Sequence, residues 1–195
     1  MDAHLLNDLQ QFINAPGADE SAFNAMALRL FQHQFSHNLP FQRVCQQRGR
    51  TPRSVRSWRD IPAVPINAFK DLALSAQPAE QCERVFMTSG TTRAEVKGRH
   101  HHPTIAVWDL SMRRGFERHF MQGFGAPRVP MALLFPPEEE LGNSSLGRYL
   151  SQALRLFGAP GSGHFVSTQG MDMPGLMAFL RRAEDGGEPV ALLGA

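Results

Sequence analysis

Arg84-Val85-Phe86-Met87-Thr88-Ser89-Gly90-Thr91-Thr92-Arg93-Ala94-Glu95-Val96-Lys97-Gly98 is where the chain changes character. The run Arg84 to Met87 reads as a strand. It passes straight into two hydroxyl residues, a glycine, two more hydroxyls and, a few positions on, a lysine. Backbone N–H groups of a glycine-containing turn point outward and small hydroxyls add donors, so a loop of this composition can cradle phosphate oxygens. Lys97 would supply a point charge for them. No G-x-x-x-x-G-K-[ST] can be read through the segment, so it is not a Walker A loop. A surface turn accounts for a bare Ser-Gly-Thr. The whole string, strand and lysine included, favours phosphate binding.

Downstream of this stretch, short apolar runs alternate with amphipathic helices. A helix is expected from about Thr104 to Gln122, a strand over Val129 to Phe135, and a helix from Ser145 to Phe157 closed by Gly158. His164 to Ser167, a helix from Pro174 to Ala183 and a strand over Val190 to Leu193 complete the series. Upstream the pattern is helical. Leu5, Leu6, Leu9, Phe12 and Ile13 share one face, and Asn14-Ala15-Pro16-Gly17 ends that run. Phe23, Met26, Ala27, Leu30, Phe31 and Phe35 make a second stripe after Asp19 or Ser21. A shorter helix runs from Phe41 to Gln47 and stops at Gly49. Between the two halves, Thr51 to Pro65 is Pro- and Arg-rich, and Ile61-Pro62-Ala63-Val64-Pro65 reads as a stiff connector. The expected fold class is therefore α/β, with N-terminal helices over residues 1–60. Alternating strands and helices follow over 61–195, around a mainly parallel sheet. The last residues read as a buried strand with no helix to cover it, which gives the expectation of a chain truncated at its C-terminus.

The 195 residues suffice for one well-buried domain or most of one. No stretch approaches the ~20 apolar residues of a membrane helix. The start lacks the basic and apolar regions of a signal peptide, so a cytoplasmic location without a membrane span is expected. A formal charge of +2 is not the footprint of a nucleic-acid binder. The gathering of Arg48, Arg50, Arg53, Arg56 and Arg59 reads as a solvated segment, with a partner or anionic-ligand surface as the other reading. Cys45 and Cys82 are too few for a disulfide framework and are ordinary residues, with no base or helix N-terminus in reach.

Thr88-Ser89-Gly90-Thr91-Thr92 is similar to the [ST]-S-G-T-T-G phosphate loop of the adenylate-forming superfamily, which includes acyl-CoA synthetases and phenylacetate-CoA ligases. Within it the chain most resembles the acyl-protein synthetase (LuxE-like) family of bacterial luciferase systems. That family carries an I-P-x-V-P-x-x-x-F-K string before the loop, here Ile61-Pro62-Ala63-Val64-Pro65-Ile66-Asn67-Ala68-Phe69-Lys70. It has a histidine after the loop, matched by His100, His101 or His102. It then has a proline and a Ser-Ser-Leu helix start, here Phe135-Pro136-Pro137 and Ser144-Ser145-Leu146. The resemblance runs from Phe23 onward and covers the first half of a family member's length. Two departures stand out. Arg93 occupies the position of the final loop glycine, where it either crowds the turn or adds a phosphate contact, and the spacing from Thr92 to Lys97 is one residue longer.

The resemblance implies part of the large N-terminal domain of an adenylate-forming enzyme. Its reaction activates a carboxylic acid, of the long-chain fatty type, as an acyl-adenylate for transfer to a thiol. Thr88, Ser89, Gly90, Thr91, Thr92 and Lys97 would bind the ATP phosphates. One of His100, His101 and His102 would border the substrate pocket. Mg²⁺ would bridge phosphate oxygens. Its ligands, the adenine motif, the mobile lysine and the acyl-accepting cysteine are all expected beyond Ala195, so no catalytic residue is assigned. An acyl-reductase or acyl-carrier protein is the implied partner. Two alternatives remain: an enzyme using coenzyme A in the manner of phenylacetate-CoA ligases, and a non-catalytic partner-binding module. No metal site is expected at the three histidines, because adjacent imidazoles converge poorly on one ion. Glu138-Glu139-Glu140 reads as a solvated loop, and Trp108 as core with Ile105, Met112 and Phe116.

Overall fold

Asp2, Asp19 and Asn38 each turn a side-chain oxygen back onto a backbone N–H, of His4, Ala22 and Phe41, and so start three helices. These are α1 (Ala3–Asn14), α2 (Glu20–His37) and α3 (Leu39–Gln47). The computed structural model describes residues 2–88 and 97–194, which fall into two compact units, Met1–Ser111 and Met112–Ala195. The three helices belong to the first unit. Helices α2 and α3 share a core of Phe31, Cys45 and Val55, with Leu28, Phe35, Phe41 and Ile61 packed around it. Phe31 meets Phe35 and Phe41 edge-on, an arrangement that suits the ring quadrupoles. Val55 shows why the Arg-rich stretch is ordered: one buried valine pins an otherwise polar segment to the helices.

After a short helix α4 (Ala68–Asp71), the strand expected at residue 84 appears as β1 (Arg84–Met87). It pairs antiparallel with β2 (Arg99–His102), from Arg84 opposite His102 to Met87 opposite Arg99. Strand β2 was not legible in the sequence. Arg-His-His-His has no apolar alternation, and its strand form comes from the ladder that β1 offers. The helix α5 (Ala106–His119) comes next, with the unit boundary inside it.

The second unit is built on β3 (Met131–Leu134), in which Met131, Ala132 and Leu133 are wholly buried. Parallel partners flank it: β4 (Gly163–His164) on one side and β7 (Ala191–Gly194) on the other. The expected parallel pairing therefore holds here, whereas β1–β2 and the pair β5 (Val166–Ser167) and β6 (Gly170–Met171) are antiparallel. Between β3 and β4 lies α6 (Ser145–Phe157), capped by Ser144 and ended by Gly158. A Cβ at Gly158 would sit 2.5 Å from the Leu154 carbonyl oxygen, so only glycine lets the chain turn off the helix there. Helix α7 (Met173–Gly186) is capped by Asp172 and closed by left-handed Gly187. Its Leu176 and Phe179 cover Ala132.

The fold is thus mixed α/β. Among the described residues, no helix is long and apolar enough to cross a membrane.

Candidate functional site

Ser89, Gly90, Thr91 and Thr92 lie outside the described residues, but both ends of the phosphate-loop string are on view. Thr88 N–H donates to the Gly98 carbonyl at 3.0 Å, and Gly98 N–H donates to Thr88 Oγ1, also at 3.0 Å. The loop therefore departs from β1 and returns to β2 through one two-bonded clasp. Gly98 is buried, and a Cβ there would lie 3.3 Å from Thr88 Cγ2 and 3.6 Å from Phe69 Cβ. Lys97, directly beside the clasp, is exposed.

The antiparallel register sorts the hairpin into two faces, because cross-strand partners share a side. Arg84, Phe86, His100 and His102 fall on one face, and Val85, Met87, Arg99 and His101 on the other. Rings continue the first face. Phe69 meets His100 edge-on at 5.3 Å, His100 lies 4.2 Å from His102, His102 meets Phe86 at 5.1 Å, and Phe86 meets Trp108 at 5.3 Å. The Arg84 guanidinium sits 5.7 Å over the Phe86 ring. Trp108 is thus packed against the hairpin, and the helix α4 carrying Phe69 brings the end of the 61–70 string to the base of the loop.

Burial pushes the His102 pKa down to about 4, with the neighbouring His100 and His101 adding like-charge repulsion. The pKa of His100 is also lowered, first by desolvation against its ring neighbours and then by His101. His102 is therefore a neutral imidazole near neutral pH. His102 Nε2 and His101 Nδ1 are buried with no hydrogen-bond partner among the described residues. Buried polar atoms without partners are uncommon and call for a reason. The three histidines thus split into two on the ring face and one on the other, which the sequence could not resolve. Among the described residues, no group of three or more His, Cys, Asp or Glu side chains is placed to hold a metal ion.

The second unit holds a cleft of about 500 Å³ that the sequence did not announce. Pro137, Glu140, His164, Phe165 and Met171 are among its walls. His164 Nδ1 lies 2.8 Å from the Phe135 carbonyl, which can only accept, so this nitrogen carries the proton. Nε2 lies 3.3 Å from Ser151 Oγ, which itself accepts from Glu138 N–H at 3.0 Å. In the acidic triplet Glu139 and Glu140 are exposed, as expected of a solvated loop, whereas Glu138 is partly buried. Arg148 pairs with Glu138 at 2.7 Å, both mostly buried, and Thr168 donates to Glu140 Oε2 from N at 2.6 Å and from Oγ1 at 2.8 Å. The backbone and hydroxyl bonds from Thr168 hold the Glu140 carboxyl below its usual range. The sequence signal for this arrangement was faint: an acidic run after a Pro-Pro turn, with its threonine partner 28 residues away.

Cys45 is buried, and burial pushes its thiol up, away from reactivity. Cys82 lies 3.3 Å from Ser75 Oγ. No protein-family model matches this chain, and no curated protein matches it.

Proposed function

We propose that this chain carries the phosphate-binding part of an ATP-dependent acyl-activating ligase, resembling an acyl-protein synthetase. One observation supports the reading: the described ends of the loop string, Thr88 and Gly98, are bonded to each other, Gly98 lies against Phe69, and Phe69 in turn meets His100. Residues from three segments that carry the resemblance are thus neighbours near the loop's base. A two-bonded clasp also fits the demand that a phosphate loop start and end on rigid backbone, so that its N–H donors need not reorganise.

In this reading a carboxylate oxygen attacks the α-phosphorus of ATP, and pyrophosphate leaves with the broken P–O bond. A carboxylate is a poor electrophile, and the mixed anhydride so formed makes its carbonyl open to a thiol. The protein's share is positioning and charge neutralisation on the triphosphate. The Thr88 hydroxyl and the backbone N–H groups and hydroxyls of residues 89–92 bind phosphate oxygens, and Lys97 adds a charge. Mg²⁺ would accompany the nucleotide and supply further charge neutralisation; no residue of this chain is assigned to hold it. One of His100, His101 and His102 borders the substrate pocket in this reading, and Phe69, Phe86 and Trp108, in ring contact with that hairpin face, would border its apolar part.

The test is ATP–pyrophosphate exchange by the protein carrying this chain, against a panel of long-chain fatty and aromatic acids. Acid-dependent exchange that is strongest with the fatty acids is the expected result. Exchange with none of them, although the protein binds ATP, would leave a nucleotide-binding protein without acyl activation.

A further inference from the structure

In the first unit, the arginine-rich segment before residue 60 is fixed in place to an unusual degree for a polar loop. Arg50 N–H donates to the Cys45 carbonyl at 2.9 Å, and Thr51 N–H to Ser54 Oγ at 2.9 Å. Ser54 N–H and Val55 N–H both donate to the Thr51 carbonyl at 3.0 Å, which makes one helical turn. Val55 is 2% exposed in the core with Phe31 and Cys45. Asn24 of α2 then clamps the next residues, donating to the Arg56 carbonyl at 3.3 Å and accepting from Trp58 N–H at 2.7 Å.

Six arginines of this unit fall into two groups. Arg29 pairs with Asp8, Arg59 pairs with Glu20 while stacking 4.5 Å over Trp58, and Arg48 donates to the Ala63 carbonyl. Arg50, Arg53 and Arg56 are exposed, and their side chains have no hydrogen bond or ion pair among the described residues. They recur every third residue on the pinned turn, so their Cα atoms are within ~10–11 Å of one another in succession. A rigid backbone presenting unpaired guanidiniums lowers the entropy lost when an anion is bound, because only side chains remain to be ordered.

We infer that the turn from Arg50 to Arg56 is a docking surface for a carboxylate-rich segment of a partner protein. Guanidinium forks match carboxylates with two parallel hydrogen bonds each. A nucleic acid fits less well. The 20 Lys and Arg are nearly balanced by 18 Asp and Glu, leaving a formal charge of +2, and a backbone-tracking groove needs a far larger excess. This inference does not rest on the ligase reading; it concerns a surface built by α2, α3 and the turn.

The experiment is fluorescence anisotropy of a labelled oligoglutamate, with a labelled single-stranded oligonucleotide of matched charge as comparator. Two charge-matched triple variants are compared with the parent: Arg50→Gln, Arg53→Gln and Arg56→Gln on the turn, and Arg113→Gln, Arg181→Gln and Arg182→Gln in the second unit. Melting curves check that all three remain folded. The turn variant should bind oligoglutamate at least about tenfold more weakly, the sum of three modest exposed charge contacts. The distant variant should bind like the parent, and parental binding should fade as salt rises beyond ~0.1 M. Equal loss in both variants would mean net charge alone is sensed. No binding by the folded parent, or tighter binding of the oligonucleotide, would likewise overturn the inference.

Discussion

Two four-residue strands, β1 and β3, show how differently this chain uses the same local structure. In β3, Met131, Ala132 and Leu133 are wholly buried, the strand has partners on both sides, and Ala132 and Leu134 pack with Leu176 and Phe179 of α7. In β1 only Phe86 is buried. Its partner strand is Arg-His-His-His, and two ring nitrogens on that partner lie buried without hydrogen bonds among the described residues. The first arrangement is what stability alone selects. The second leaves two polar ring atoms without partners among the described residues, an arrangement that packing alone does not favour.

The comparison breaks most visibly at β3. Leu133→Ala should remove about 2–5 kcal/mol of stability, through lost burial and the cavity left behind. Chemical denaturation of parent and variant measures this directly. A loss under ~1 kcal/mol would show that β3 is not the packing centre of its unit.

A smaller effect is expected at the hairpin, and it depends on pH. The folded pKa of His102, about 4, lies below its unfolded value near 6.5. Between those two values the unfolded chain binds a proton that the folded chain refuses. The neutral-His102 contribution is therefore intact above pH ~6.5 and lost as pH falls toward ~4. Its size is on the order of 1–2 kcal/mol once solvent screening of the half-exposed ring is discounted. His100, lowered for the same cause, adds in the same direction. Stability measured across this window should fall more steeply with acid for the parent than for His102→Phe. Parallel slopes would show that His102 titrates as it does in water.

Much of the fold could be read in advance where one physical signal dominated. Ser144, Leu146, Leu150, Ala153, Phe157 and Gly158 carry cap, stripe and stop within one helix, and α6 runs over the residues so marked. Asp19 caps α2 for the same local reason. What failed to show was whatever depended on distant partners. β2 has no strand signal of its own, Phe69 reaches His100 across 31 positions of chain, and His164 is set by Phe135 and Ser151 from other elements. The candidate site was half legible. Its residue types could be named from the loop string, but the clasp, the two faces of the hairpin and the neutral His102 come from pairing and burial, which no local pattern encodes.

The sharpest measurement is ATP affinity, by titration of a fluorescent ATP analogue, for the parent, Gly90→Val and Thr88→Val, each with its thermal melt. If residues 88–92 bind phosphate through close backbone approach, only a residue without a side chain serves at Gly90, and Gly90→Val should abolish binding while melting as the parent does. Thr88→Val removes the acceptor for Gly98 N–H and should cost about 1 kcal/mol of stability with a partial loss of affinity. Parental ATP affinity in Gly90→Val would contradict the phosphate-loop assignment and leave the Thr88–Gly98 clasp closing a turn that binds no phosphate.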